Sequence, residues 1–225
     1  MLSPVATSST SRHAPPARAT AGFSEGFLTS IDLVGAKMPF ARNEEIYGEG
    51  EAAEYAYKVL SGAVRVYKIL SDGRRQISAF YLPGDIFGLE PGSEHAFSAD
   101  AVVDSDVLVV KRTTLMSLTS RDVDAAQQLW TLTARELQHM QDHVVLLVKS
   151  ARERIASFLL QMGSRIAGNE IEIPMSRQDI ADYLGLTIET VSRMLTQLEN
   201  SAAIALPASR RIVIRNKSAL TRLNS

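Results

Sequence analysis

A chain of 225 residues with 45% hydrophobic and 22% charged side chains can bury a proper core, in one large domain or two smaller ones. It has 4 His and no Cys, which excludes disulfides, thiolate zinc sites and cysteine-held iron–sulfur clusters on this chain. The net charge of −1 is unevenly spread: from Val148 onward 11 Lys and Arg face 7 Asp and Glu, while the rest is acidic, so the basic tail is the part expected to meet an anion.

Residues 1–22 are rich in Ser, Thr, Ala and Pro, with Pro4, Pro15 and Pro16 and almost no large apolar side chains. Such a stretch cannot bury enough surface to offset the entropy of ordering, so it is predicted to be a disordered leader, with structure beginning near Phe23. No charged-then-apolar leader with a small-residue cleavage site is evident, and no apolar run reaches about 18 residues. Neither secretion nor a membrane span is therefore expected, and the expected location is the cytoplasm.

From Ile46 to Lys111 the pattern is β. Short apolar runs (Tyr57–Leu60, Val64–Ile69, Ile77–Leu82 and Val107–Val110) alternate with Gly48-Glu49-Gly50, Ser61-Gly62, Asp72-Gly73, Pro83-Gly84-Asp85 and Pro91-Gly92. The Asp72-Gly73 pair predicts a type I′ hairpin turn, which needs positive φ at both central residues. Turns this closely spaced predict a small antiparallel barrel or roll over residues 23–115.

The period then changes to that of a helix from about Val123 to Ser150, within a predicted dimerisation region over residues 116–150. Trp130, Thr133, Leu137, Met140, Val144, Leu147 and Ala151 are separated alternately by 3 and 4 positions. That is an a/d seam, so Trp130, Leu137, Met140, Val144 and Leu147 are predicted to pair this helix with a second copy. Val145 and Leu146 are available to pack the helix on its own chain.

Residues 151–225 contain three further helical stretches, Arg152–Arg165, Ser176–Leu184 and Thr187–Asn200, and an alternating β run from Arg210 to Arg215. Ser176 stands where an N-cap belongs and Asp179 completes a capping box. Gly185 permits the positive φ that ends the helix sharply. Thr187 caps the next helix, with Thr190 three residues on, and Val191, Met194, Leu195 and Leu198 form its buried stripe. This is a helix-turn-helix whose outer face carries Glu189, Thr190, Ser192 and Arg193.

Those residue types suit base reading, because Glu accepts from cytosine N4 while Arg forks onto guanine O6 and N7. Glu189, Ser192 and Arg193 are the candidate base contacts. Ser176, Arg177, Thr187 and Thr190 lie where hydroxyls, a guanidinium and helix N-termini hold phosphates, and Arg210 and Arg211 begin a wing over the backbone. The plainer alternative is that Glu189 and Arg193 form an i,i+4 surface pair.

The run from Ser176 through Leu184-Gly185-Leu186-Thr187 to Arg193 resembles the helix-turn-helix of the CRP/FNR superfamily. Tyr47-Gly48-Glu49-Gly50, Val59-Leu60-Ser61-Gly62 and Leu82-Pro83-Gly84-Asp85-Ile86-Phe87-Gly88 resemble its effector-domain β-roll. The resemblance spans about residues 25–220 and is strongest to the FixK group, rhizobial activators of microaerobic and nitrogen-fixation genes. It implies an α+β chain: an antiparallel, cyclic-nucleotide-binding-like β-roll, a long dimerisation helix and a C-terminal winged helix-turn-helix. It further implies a homodimer on double-stranded DNA, with Glu189, Ser192 and Arg193 reading a TTGA-type half-site in an inverted repeat. A loop at the place of Asp72, Gly73 and Arg74 touches RNA polymerase in relatives, although a solvated hairpin tip explains those residues equally well.

Two departures from the superfamily bear on sensing. The oxygen-sensing branch uses cysteines, which this chain lacks. The cyclic-AMP branch uses Gly-Glu-Leu and an Arg-Ser pair, where this chain has Gly88-Leu89-Glu90 and Phe97-Ser98. A cyclic phosphate would be buried there without a guanidinium, so no cyclic nucleotide and no other cofactor is expected. A roll that binds some other small effector is the alternative.

His139 and His143 have metal-compatible spacing, but Glu136 and Asp142 are weak third ligands, and a solvated pair is the expected reading. His95 is expected in a surface loop. A roll with one His, and a chain without a phosphate loop, nucleophile elbow or paired carboxylates, gives no reason to expect an enzyme.

Overall fold

The computed structural model describes residues 31–166, 170–208 and 210–223; the predicted leader and the start near Phe23 lie outside the described residues. Eight strands build the first half: β1 (Ala36–Phe40), β2 (Glu45–Tyr47), β3 (Tyr55–Ser61), β4 (Val64–Ile69), β5 (Arg75–Tyr81), β6 (Ile86–Phe87), β7 (Ser98–Ala101) and β8 (Ser105–Lys111). They form two antiparallel four-stranded sheets, ordered β1-β8-β3-β6 and β2-β7-β4-β5. Inward-facing Tyr57, Val59, Val64, Val66, Phe87 and Val107 make the core between them. This is the predicted roll.

One turn differs from the expectation. The β4–β5 loop is not type I′, because only Gly73 has positive φ (+82°). Instead, Gly73 N–H donates to Leu70 O at 2.9 Å and Leu70 N–H to Arg74 O at 2.8 Å. A longer loop with a left-handed glycine matches strand twist as well as the two-residue turn does.

The helical half begins with α1 (Arg112–Arg121) and α2 (Val123–Leu147). The long helix starts at Val123, where the sequence pattern places it, and a separate short helix occupies the first part of the 116–150 region. Asp122 has extended backbone (φ −133°, ψ 114°), and its side chain accepts from Asp124 N–H, starting a new helix there. The 25-residue α2 lays Ala125 and Gln128 inward, packs Leu129 and Leu132 beneath the roll, and sends Leu146 into the C-terminal core. Its other face leaves Trp130 75%, Leu137 59% and Val144 66% exposed, with Met140, Val145 and Val148 beside them. Leu147, the last residue of the predicted seam, is half-buried instead, its tip close to Gly185.

The chain closes with α3 (Ala151–Arg165), β9 (Glu170–Glu172), α4 (Arg177–Leu184), α5 (Ile188–Asn200), β10 (Ile204–Ala208), β11 (Arg211–Ile214) and α6 (Lys217–Leu223). β9 completes a three-stranded sheet, ordered β10-β11-β9, that sequence periodicity did not reveal. Phe158, Leu159, Ile180, Leu184, Val191, Leu195 and Leu198 form this half's core. The core does not stop at the domain edge: Ile77, Phe80 and Leu82 of the roll belong to it.

His143 seals this junction and is not the solvated residue expected. Its ring stacks on Tyr183 (centroids 4.2 Å apart) and Nε2 donates to Tyr183 O at 2.8 Å. Burial lowers its pKa below the ordinary 6.5, despite opposing backbone hydrogen bonds to Tyr183 and Ser78. The folded chain therefore holds the ring neutral, and the unfolded chain binds the proton first as pH drops. This contribution to stability is complete above about pH 6.5 and declines as pH falls through the lowered folded value. Comparing melting curves of wild type and His143→Gln from about pH 8 down to about pH 5.5, the wild-type advantage should shrink; a gap independent of pH would reject the neutral ring.

Candidate DNA interface

The helix-turn-helix is assembled by local chemistry. Ser176 Oγ accepts Asp179 N–H at 3.1 Å, while Asp179 Oδ2 accepts Ser176 N–H at 2.9 Å and its hydroxyl at 2.7 Å. Both halves of the capping box are thus present at the start of α4. Gly185 then takes φ +60° and ψ +42°, and Leu186 N–H returns to Ala181 O at 2.9 Å. Arg154 Nη1 donates to Leu184 O at 2.7 Å, satisfying a helix-end carbonyl. Thr187 Oγ1 accepts Thr190 N–H at 3.3 Å and starts α5.

A Cβ at Gly185 would meet Arg154 Nη1 and Leu147 Cδ2 only at 3.5 Å, so space is not what requires glycine. The requirement is left-handed backbone. Gly185→Ala should therefore lower stability by about 1–2 kcal/mol, and Gly185→Asn by less. An unchanged urea midpoint for the Ala variant would mean that the turn is not left-handed in solution.

Val191, Leu195 and Leu198 bury one face of α5, with Met194 half-buried beside them. The other face carries Glu189 and Arg193, exposed, and Thr190 and Ser192, half-buried. Glu189 and Arg193 form no ion pair with one another or with any other described residue, which removes the surface-pair alternative. The Glu189 carboxyl lies below its ordinary pKa, held by its own backbone N–H and by Thr187, so it stays an acceptor at neutral pH. Arg177 Nη1 donates to Ser192 Oγ at 3.2 Å, which joins the two helices at the reading face.

Ser176, Arg177, Thr187 and Thr190 cluster at the first turns of α4 and α5. Arg211 opens β11 at the exposed end of the wing and Arg210 precedes it, half-buried, its carbonyl accepting Ile173 N–H. Asp72, Gly73 and Arg74 form the exposed hairpin tip, where Arg74 Nε donates to Asp72 Oδ2 at 2.7 Å. Of the first group, Arg177 reaches the outer face of α5 through Ser192; the hairpin tip belongs to the roll.

Sequence reasoning missed the contacts that hold α4. Arg65 and Arg75 of the roll both reach Asp179, which is buried. Burial alone would raise the Asp179 pKa, but the Ser176 hydrogen bonds and these two guanidinium groups bring it below the ordinary value. The only signal available in sequence was an Arg between Val64 and Val66 in an apolar strand.

A cleft of about 570 Å³, partly open to solvent, lies between the strands of the roll and α2. Tyr47, Tyr81, Phe87, Phe97, Trp130, Leu137 and Met140 line it, and among the described residues its charged lining is Glu90 and Glu136, with no Lys, Arg or His. Tyr81 OH donates to Glu136 at 2.6 Å. Ser98, at the place of the cyclic-AMP branch's serine, accepts Glu49 N–H at 3.0 Å. Beneath the cavity His95 is buried, stacked on Tyr47 at 3.6 Å and hydrogen-bonded to Glu90, so it is not in a surface loop. Arg112 ties down the same segment through Gly88 O (2.6 Å) and Gly92 O (3.0 Å). Among the described residues no three His, Cys, Asp or Glu side chains converge as a metal site, and no helix is long and apolar enough to cross a membrane.

Residues 37–122 match the cyclic nucleotide-binding domain family and residues 153–223 the Crp-like helix-turn-helix domain family. The chain is 50% identical over 202 residues to the nitrogen fixation regulation protein FixK of Azorhizobium caulinodans, covering 87% of this chain and 82% of that protein. It is 42% identical over 181 residues to the FixK of Rhizobium meliloti, covering 80% and 82% respectively. The solved structure of FixK2 from Bradyrhizobium japonicum is similar with a TM-score of 0.83 and 51% identity, covering 85% of this chain and 98% of that one. These relatives are regulators and not enzymes. Roll, long helix and helix-turn-helix thus place the chain in the CRP/FNR superfamily of DNA-binding transcription regulators, in its FixK-like group.

Proposed function

We propose that the chain is a cytoplasmic homodimeric activator of microaerobic and nitrogen-fixation genes that binds a TTGA-type inverted repeat without a cofactor. The observation that carries this reading is the open face of α5, where Glu189 and Arg193 stand exposed beside Ser192 and form no ion pair among the described residues. Arg193 forks onto guanine, Glu189 accepts from a cytosine amine, and Ser192 completes the half-site contacts. Ser176, Arg177, Thr187, Thr190, Arg210 and Arg211 hold the backbone on either side. The exposed stripe Trp130, Leu137, Met140 and Val144 pairs two copies of α2. Pairing sets two recognition helices about one DNA turn apart, roughly 34 Å. Asp72, Gly73 and Arg74 offer a polar loop to RNA polymerase.

The cavity does not fit a cyclic nucleotide. A cyclic phosphate would meet Glu90 and Glu136, while the nearby Arg112 guanidinium is not among the lining residues and is already committed to Gly88 O, Gly92 O and Glu90, so the cost of burial and repulsion is poorly offset. Its size and apolar wall favour one second reading, in which an uncharged apolar effector gates the protein from this cavity. Titrating additive-free protein against a TTGA-N6-TCAA palindrome and a scrambled control at two salt concentrations separates the two. Tight, palindrome-selective binding is expected. Weak binding restored by a cell extract would establish the gated reading in its place.

A further inference from the structure

We propose that Arg65 and Arg75 of the β-roll are positioning residues for DNA reading: by holding Asp179 and Asp182 they set the angle at which the helix-turn-helix is presented. The proposal rests on the DNA-reading function proposed for α5.

Asp179 divides its carboxylate between two tasks. Oδ2 organises the first turn of α4 through Ser176, at 2.9 Å and 2.7 Å. Oδ1 accepts Arg65 Nη1 and Arg75 Nη2, each at 2.7 Å. The roll therefore grips the same group that starts the helix-turn-helix. Arg75 also reaches Asp182, one turn along α4, with Nε at 2.8 Å. Two points of attachment on one helix fix its direction as well as its distance.

Arg65 is itself anchored. Its Nη2 donates to Asp100 Oδ2 at 2.9 Å and to Asn43 Oδ1 at 3.1 Å, and Arg65, Asp100 and Asp179 are all buried. Buried ion pairs add little net stability after desolvation; what they supply here is direction. The apolar contact of Ile77 and Phe80 with the C-terminal core holds the halves together without specifying an angle, because dispersion and hydrophobic burial are not directional. Other polar links across the junction run from Arg165 of α3 to Asp85 and Phe80 O and from Gln76 to Tyr183 O near the end of α4, so the first turns of α4 are held through Asp179 and Asp182. The grip lies on α4, and Glu189 and Arg193 on α5 remain exposed while it is closed. The docked arrangement is therefore one that can read DNA, held by the protein's own side chains. Two half-sites at fixed spacing penalise a loosely held helix, since each unproductive tilt lowers the fraction of protein ready to bind.

The full chain tests this through charge exchange. Arg75→Asp and Asp182→Arg each oppose like charges at the grip, and the double exchange restores an opposite pair with wild-type net charge. Because the chain has no Cys, Glu94→Cys and Gln197→Cys accept spin labels at one site on each side of the junction, read in dimers diluted with unlabelled chain. Each single change should broaden the roll-to-α5 distance and weaken palindrome binding about tenfold, within the usual range of coupling between sites. The double exchange should recover both in part, through the 75–182 pair alone, since a carboxylate at position 75 repels Asp179 where Arg75 had bound it. Should either single change prevent folding, Arg75→Gln removes the cation without repulsion and should still cost about fivefold.

Variants that fold and keep both the wild-type distance and the wild-type affinity overturn the proposal. So does a double exchange that restores the melting midpoint but neither distance nor affinity, since that is what a merely structural pair would do. If wild type does not select the palindrome, the DNA-reading assignment of α5 fails, and the distance measurement alone still decides whether the grip positions the helix.

Discussion

Replacing Arg193 by Ala should weaken operator binding by about 1–3 kcal/mol per half-site and relax selectivity at one base pair in each. The reasoning starts from its surroundings. Arg193 lies on the exposed face of α5, opposite Val191 and Leu195, and makes no salt bridge among the described residues. Its removal leaves no buried acid unpaired and no void, so fold stability should change by less than about 0.5 kcal/mol. A loss of affinity with an unchanged melting curve then belongs to the interface. Base contact and phosphate contact separate by what else changes. A lost base contact erases preference at one position and leaves the salt slope nearly intact, whereas a lost phosphate contact weakens all sequences alike and reduces the slope by about 1. Binding each substituted half-site at two salt concentrations decides between them. Uniform weakening would make Arg193 a backbone clamp and leave Glu189 and Ser192 to carry sequence selection.

The features legible in the sequence are those written within about ten residues. Ser176 with Asp179, Gly185, and Thr187 with Thr190 each define a cap or turn through near neighbours, and all three form as expected. Alternation in Val64–Ile69 and the steps of three and four along α2 likewise mark strand and helix. What escaped is what depends on distant partners. Arg65 lies 114 residues from Asp179, and alternation along β4 would have turned it toward solvent. It is buried because the C-terminal half covers the sheet's outer face, a fact no local period encodes. His95 and His143 were misplaced for the same reason: each is buried by an aromatic ring from another element, Tyr47 and Tyr183. β9 escaped because three residues around one buried Ile171 are too short to show a period.

Val144→Asp should abolish the dimer and, with it, tight operator binding. Val144 is 66% exposed in the single chain, so a carboxylate there is fully hydrated in a monomer and the fold should survive. In a paired seam the same carboxylate would be buried opposite its own copy. At roughly 3 kcal/mol for each unpaired buried charge, counted in both subunits, dimerisation should weaken by about 6 kcal/mol, or about 10⁴-fold. Leu137→Asp should act similarly, but Leu137 also lines the roll cavity, which makes Val144 the cleaner probe. A monomer holds one half-site only and loses the effective concentration that ties the second recognition helix to DNA. Sedimentation equilibrium should give monomer mass with an unchanged far-UV spectrum, and palindrome binding should fall to that of a single half-site. A dimer that persists with both residues changed would mean that the seam lies elsewhere on α2. The exposed Val145 and Val148, about a quarter turn and about one turn beyond Val144, would then be the next positions to charge.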